Sequence, residues 1–131
     1  MEKIKVIRII TRMNIGGPAI QAALLTTGLN RDKFDSTLLT GAICENEGDM
    51  TYLVAEQGIE PILIAELQRE VDIVKDIKGL WKICRYLKKN RPDIIHTHTA
   101  KAGAIGRIAA ILAGVPVIIH TFHGHVFHSY F

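Results

Sequence analysis

Apolar residues recur along this chain in two alternating rhythms. Three short β-branched runs are each bounded by glycine, proline or polar residues: Ile4 to Ile10, Asp93 to Thr97 with Ile94 and Ile95 at its centre, and Val115 to Thr121. Such runs read as strands buried on both faces. Two weaker runs, Ser36 to Thr40 and Pro61 to Ile64, read as further strands. Between them lie segments of helical period or composition, Pro18 to Leu29, Thr51 to Gln57, Val71 to Asn90 and Lys101 to Ala113. This alternation predicts a parallel sheet with helices on both faces, a doubly wound α/β domain. In such sheets ligands bind beyond the carboxyl ends of the strands where strand order reverses, usually between the first and fourth strands. The loops after Ile10, Thr97 and Thr121 are therefore the candidate site loops.

Composition narrows the class. The 131 residues, 48% hydrophobic and 22% charged, match one globular domain, which excludes disordered and low-complexity classes. A net charge of +3 is too small to mark a nucleic-acid binder. The longest apolar run, Ile108 to Ile119, is twelve residues broken by Gly114 and Pro116, whereas a membrane span needs roughly 20. The first residues enter an apolar run with no small-residue cleavage site, so a cytoplasmic location is expected. Cys44 and Cys84 have no CxxC neighbour and read as small hydrophobes in a reduced compartment.

Three loops carry candidate chemistry. In Asn14-Ile15-Gly16-Gly17-Pro18 two glycines let backbone approach a ligand, and Pro18 suits the first helical turn. The helix amides would then face an anion such as a phosphate; a plain tight turn explains the motif equally well. The pattern is not GxGxxG, and the second strand ends in Thr40-Gly41 where a dinucleotide site places an acid, so NAD is disfavoured. In His96-Thr97-His98-Thr99-Ala100-Lys101 the two histidines share a side of the strand, Thr99 is positioned to cap the next helix and Lys101 falls in its first turn. A structural role anchoring the strand end is the simpler reading of His96. The small residues of the helix that follows, including Gly103 and Gly106, imply close packing on the sheet. The third loop is His120-Thr121-Phe122-His123-Gly124-His125-Val126-Phe127-His128, whose histidines read as metal ligands, as hydrogen-bonding or acid/base groups for a polar ligand, or as structural. All six histidines lie from position 96 onward, and no Asp or Glu follows Asp93, a residue set that argues against a metal.

Within Val71 to Asn90, residues Ile73, Ile77, Leu80, Cys84 and Leu87 form one helical stripe expected to pack on the sheet. Lys75, Lys78, Lys82, Arg85 and Lys89 form a cationic stripe opposite, either a solvated face or a contact with anionic lipid. The chain stops at Phe131, a few residues past the fifth strand, so apolar surface is expected to be exposed there.

The ordered set of Gly16-Gly17-Pro18, Arg91-Pro92-Asp93-Ile94-Ile95-His96-Thr97-His98, Ala113-Gly114-Val115-Pro116 and Thr121-Phe122-His123-Gly124 resembles the N-terminal domain of glycosyltransferase family 4. The resemblance spans essentially the whole chain and is strongest to enzymes of bacterial exopolysaccharide, capsule or lipid-linked oligosaccharide synthesis. It implies a GT-B enzyme, two facing Rossmann-like domains, of which residues 1–131 are a truncated, acceptor-side first domain, the donor-binding C-terminal domain being absent. It implies transfer, with retention of configuration and without metal or cofactor, from a nucleoside-diphosphate sugar, expected to be a UDP-sugar, to a glycan or lipid-linked acceptor. Gly16 and Gly17 would approach the donor diphosphate and His123 the transferred sugar, with His98, Lys101 and Gly124 in the same crevice. Without the family's glutamate-rich motif, the piece alone is expected to be inactive. A peripheral position on the inner membrane face through the Lys75 to Lys89 stripe is expected. Two other readings fit the same residues: a non-catalytic module binding an anionic ligand or membrane surface, and a fragment of a GT-B sugar-nucleotide epimerase.

Overall fold

The computed structural model describes residues 2–14, 16–43, 48–68 and 70–122. The elements run β1 (Ile4–Arg12), α1 (Gly17–Gly28), β2 (Phe34–Gly41), α2 (Tyr52–Ala55), β3 (Ile62–Leu63), α3 (Ile73–Asn90), β4 (Ile94–His98), α4 (Ala100–Ala113) and β5 (Val117–Thr121). All pairings are parallel and the sheet order is β3-β2-β1-β4-β5. The doubly wound class predicted from the alternation is the one found, and order reverses between β1 and β4. Of the two weaker strand runs, Pro61 to Ile64 gave the two-residue β3, whereas Ser36 to Thr40 lies within the eight-residue β2.

The central strand explains the layers. Residues Val6 to Thr11 of β1 are all buried, because each face meets a helical layer. On one face Ile7, Ile9, Leu39 and Ile95 pack with Ile83 and Leu87 of α3 and Ala102, Ile105, Ala109 and Ala110 of α4. On the other, Ile10 and Leu38 pack with Ala19, Ala22 and Ala23 of α1 and Val54 of α2. The small residues of α4 do what their size implies. A Cβ on Gly106 would stand 2.7 Å from Thr97 Cγ2, and one on Gly103 2.4 Å from His120 Cε1, so only hydrogen fits there. Gly41, at the end of β2, is tighter still, since a Cβ would lie 1.6 Å from the Leu67 carbonyl oxygen and 2.4 Å from that of Thr11. An acidic side chain at this strand end is therefore excluded by backbone packing.

Helix α3 differs from its sequence reading in two ways. It starts at Ile73 rather than Val71, because Asp72 takes the capping position and its Oδ1 accepts the Lys75 N–H at 3.1 Å. Its packed face is also rotated: Gly79, Ile83 and Leu87 are buried, with Leu80, Cys84 and Tyr86 beside them, whereas Ile73 and Ile77 of the expected stripe face solvent. The close approach of Gly79 to Glu66, 3.3 Å from the position of a Cβ, selects that face. Cys84 behaves as the expected small hydrophobe; Cys44 lies outside the described residues. Apolar side chains of Val117, Ile119 and Phe122 are exposed at the β5 edge, as are Ile108, Ile111 and Leu112 on α4; the last segment, where exposed apolar surface was expected, lies outside the described residues from position 123 onward.

The β4–α4 junction is stitched to β1 by two threonines. Thr99 was expected to cap α4, yet it makes no side-chain cap, because its backbone sits at φ 68°, a costly region for a β-branched residue. Its hydroxyl donates to the His98 carbonyl at 2.5 Å. The Thr11 hydroxyl therefore donates to Thr99 Oγ1, 2.8 Å away, and its lone pair accepts the Ala102 N–H at 3.2 Å. The cap of α4 thus comes from the neighbouring strand.

Two stability measurements check this packing. Thr11→Val, nearly isosteric, strips α4 of its cap and leaves Thr99 Oγ1 with only the 3.4 Å donation from the backbone N–H of residue 11, and chemical denaturation should show a loss of about 1–2 kcal/mol. Gly41→Ala should cost about 1–3 kcal/mol by overpacking against backbone, while Gly17→Ala, whose Cβ meets nothing within 4 Å, should leave the melting temperature unchanged or raised.

Candidate functional site

The carboxyl ends of β1 and β4 open into a cleft of about 710 Å³ at the point of order reversal. Thr11, Arg12, Asn14, Gly16 and Pro18 line one wall, and Thr99, Ala100, Lys101, Ala104 and Ile105 the other, with Val71 and Asp76 at the α3 side. The positions follow from the topology: parallel strands deliver every β–α loop to the same edge, and the strand order separates the first two crossovers from the last to leave a gap.

Gly16 lies on the wall and is the residue before the first turn of α1, with Pro18 in that turn as the sequence implied. The first amides of a helix have no partner within the helix, so this wall offers donors and the positive end of a peptide dipole. Gly17 leaves space around it that the fold does not fill, so the fold itself does not demand glycine there.

Lys101 is in the cleft wall, within the first turn of α4 as read from sequence, but its ammonium is already occupied. Nζ lies 2.6 Å from Asp76 Oδ1, donates to the Gln68 carbonyl at 2.8 Å and also donates to the carbonyl of Glu70. Its charge therefore ties α4 to the start of α3 and closes that side of the cleft.

The histidines do not converge as expected. Alternation along β4 sends His96 and His98 to the α1 face of the sheet, while Thr97 and His120 lie on the α4 face, their side chains 2.8 Å apart. His98 is fully buried with its ring against His96, centroids 4.2 Å apart. None of the three lines the cleft. His123 and Gly124, the other expected site residues, lie outside the described residues.

His96 has the structural role first read for it, through a partner the sequence concealed. Arg8 looks like an interruption in an apolar strand, yet it is buried beneath the sheet. Its Nε–H donates to His96 Nδ1 at 3.2 Å and its Nη1 to Thr26 Oγ1 at 3.1 Å. A guanidinium can only donate, so His96 Nδ1 accepts, the ring is the neutral Nε2–H tautomer, and Nε2 donates to Thr121 Oγ1 at 2.6 Å. Burial pulls the Arg8 pKa down to about 10, which still leaves it charged near neutrality. The chain of hydrogen bonds from Arg8 to Thr121 links β1 to the last residue of β5. Thr11, Asp76 and Arg8 are thus the contributors that sequence reading missed. Only Arg8 left a signal, as a lone charge in a buried-strand pattern.

The cationic residues Lys75, Lys78, Lys82, Arg85 and Lys89 are all exposed on α3, and none of them lines the cleft. Lys82 pairs with Glu66 at 2.6 Å, which holds the Glu66 carboxyl below its usual range, and Lys75 donates to Gln68 Oε1 at 3.2 Å. Among the described residues no cluster of His, Cys, Asp or Glu is placed to hold a metal, and no helix is long and apolar enough to cross a membrane.

Comparison with known proteins places the geometry in context. The chain is 41% identical over 102 residues to the UDP-Gal:α-D-GlcNAc-diphosphoundecaprenol α-1,3-galactosyltransferase of Escherichia coli, covering 77% of this chain and 25% of that protein. It is 34% identical over 61 residues to the capsular polysaccharide biosynthesis glycosyltransferase CapM of Staphylococcus aureus, covering 47% and 16%. The chain thus spans at most a quarter of the length of these relatives. Among solved structures, the lipopolysaccharide outer core galactosyltransferase WaaB superposes with a TM-score of 0.68 at 17% identity, over 95% of this chain and 35% of that one. A Methanocaldococcus jannaschii UDP-GlcNAc 2-epimerase, in complex with UDP-GlcNAc and UDP, gives 0.66 at 17% identity, over 89% and 32%. At such identities the likeness concerns the fold, a GT-B-type parallel sheet. Residues 16–131 match the model of the glycosyl transferase 4-like domain, and with the switch-point cleft beside its glycine turn, the chain belongs to that glycosyltransferase family.

Proposed function

We propose that this chain forms one wall of the active-site cleft of a retaining glycosyltransferase, which moves a sugar from a nucleoside-diphosphate sugar, a UDP-sugar, to a glycan or lipid-linked acceptor in bacterial surface polysaccharide synthesis. The observation that carries the reading is the cleft between β1 and β4, with Gly16 on its wall at the start of α1 and vacant space about Gly17. Free amides at a helix start, approachable because two glycines carry no side chain, suit a diphosphate. The E. coli relative uses a donor and a lipid diphosphate acceptor of that chemistry, by its name.

In this reading Gly16 and Gly17 bring amides to the donor diphosphate, and His123 and Gly124 stand beside the transferred sugar. Lys101 acts through Asp76, holding the wall in place, and His98 supports the strand end from beneath. The chemistry requires preorganised charge on the far side of the departing diphosphate, and that side belongs to a second domain. The 131-residue chain alone is therefore inactive. The enzyme works without a metal, peripherally on the inner membrane face, to which the Lys75, Lys78, Lys82, Arg85 and Lys89 stripe adds electrostatic attraction.

A second reading has one observation in its favour, the superposition on UDP-GlcNAc 2-epimerases. An epimerase would invert a centre of the free nucleotide-sugar with no acceptor present.

Both are tested in a full-length protein carrying this domain. Gly17→Val should raise the donor KM, and His123→Ala should lower transfer by about 10²–10³-fold, each with an unchanged melting temperature. Transfer that is indifferent to both variants overturns the site assignment. Conversion of a UDP-sugar to its epimer without acceptor replaces the reaction by the second reading.

A further inference from the structure

Strand β2 has an edge that its neighbour leaves half uncovered. It spans Phe34–Gly41, yet β3 pairs with it only at Leu39 and Thr40. Backbone groups along a strand alternate with a period of two, so every second residue turns both its N–H and its C=O to the same side. The Ile4 N–H bonds the Lys33 carbonyl on the β1 side, and the Ile64 N–H bonds the Thr40 carbonyl on the β3 side. Ser36 is in phase with Thr40 and therefore directs its N–H and C=O to the β3 side. Among the described residues no strand residue stands opposite it there. The Ser36 hydroxyl is buried as well and has no hydrogen-bond partner among the described residues.

The open half of the β3 lane is a cavity of about 380 Å³. Phe34, Ser36 and Thr37 form its back wall and Ile62, where β3 begins, closes one end. Ile59 lines it on the face covered by α1, and Tyr86 on the face covered by α3. The chain before β3 does not fill the lane, because the Ile59 N–H is bonded to the Val54 carbonyl at 3.0 Å, which holds it toward α2. Lys3 and Arg31, which precede β1 and β2, stand at the amino-terminal end. Arg31 Nη2 donates to the Gln57 carbonyl at 2.5 Å, which fixes the guanidinium and leaves further N–H groups of its fork for a carboxylate. The cavity shares no lining residue with the cleft and lies at the opposite end of the strands.

From the open ladder, the unpartnered hydroxyl and the cations at one end, we infer that β2 takes up the carboxyl-terminal segment of a partner protein as an added antiparallel strand. The segment's backbone pairs with the Ser36 N–H and C=O, the Ser36 hydroxyl donates to one of its carbonyls, and its terminal carboxylate meets Lys3 and Arg31. An extended peptide is the ligand whose donors and acceptors alternate as a strand edge does. A small anion would satisfy the cations and leave Ser36 unpaired. Charge complementarity sets the direction: the carboxylate belongs at the Lys3 and Arg31 end, so the segment runs opposite to β2. Asp35 and Glu60 also line the cavity, which disfavours acidic side chains along the segment. From Phe34 to Thr37 the lane is about 10 Å long, room for about three residues. The site is independent of the transfer reaction proposed above.

The probe is the synthetic peptide acetyl-Thr-Val-Thr-Val with a free carboxylate, added to the nitrogen-15-labelled 131-residue chain. Expected are saturable shifts of the Ser36 and Leu38 amide signals, with those of Gly16 and Gly17 unmoved. The same peptide amidated at its carboxyl end should bind about tenfold more weakly, as should the free-carboxylate peptide to the chain with Lys3→Ala and Arg31→Ala. A peptide N-methylated along its backbone should not bind. Ser36→Ala removes a hydroxyl that the fold does not use, so it should leave the melting temperature unchanged or raised while weakening the peptide about threefold to tenfold. A folded chain whose Ser36 signal does not move at millimolar peptide overturns the site. Equal affinity for the amidated peptide overturns the carboxyl-terminal segment as occupant, and equal affinity for the N-methylated one overturns strand addition. A melting temperature lowered by Ser36→Ala overturns the role of the hydroxyl, which a bound water would then satisfy. A dimer in solution that Ser36→Pro dissociates assigns the edge to a second copy and overturns the partner.

Discussion

Strand β1 can be the centre of this sheet only because α4 lies close enough to seal it against water, and that approach depends on the hydrogen atoms of Gly103 and Gly106. A methyl at either position would enter the space of His120 or Thr97. Interiors are packed at crystal-like density, so a helix held off by one methylene would open voids along the buried row Ile7, Ile9 and Ile95. The close crossing also brings the first turn of α4 to the end of β1, near enough for Thr11 to supply the cap that Thr99 cannot. The cleft wall is thus a by-product of helix packing: where α4 starts, how it is capped and how Thr99 is bent all follow from how near it sits.

Charge is placed by the same logic of enclosure. Cations in the body of the domain are each matched: Arg8 by two neutral acceptors beneath the sheet, Lys101 by Asp76 and two carbonyls. A buried cation without such partners would cost several kcal/mol, on the order of the penalty for an uncompensated charge. The cations on the outer row of α3 are exposed, Lys82 being paired with Glu66 at the surface, and stand next to apolar side chains that the core does not claim. One helix therefore serves two surfaces, the packed one of Gly79, Ile83 and Leu87 and the outward one of Ile77 and Trp81. An apolar stripe read along the helix runs through both and cannot tell them apart. Ile73 and Ile77 share the period of Leu80 and Leu87, yet they are exposed where those two pack on the core.

The class of fold, the order of elements and the location of the cleft were all legible along the chain. Residue periodicity is a local property, and parallel sheets with right-handed crossovers leave little choice of topology. The glycine turn before Pro18 and the small residues of α4 were equally readable, since their meaning lies in size and backbone freedom. What tertiary structure alone decided are the partnerships between residues far apart in sequence. Arg8 and His96 are 88 positions apart, as are Thr11 and Thr99, and no pattern in either segment announces its partner. Likewise the ammonium of Lys101 could be read as a charge near the cleft, but only the fold places Asp76 and the Gln68 and Glu70 carbonyls around it. Hydrogen bonding and ion pairing act over about 3 Å in space, whereas sequence pattern reports the neighbourhood along the chain.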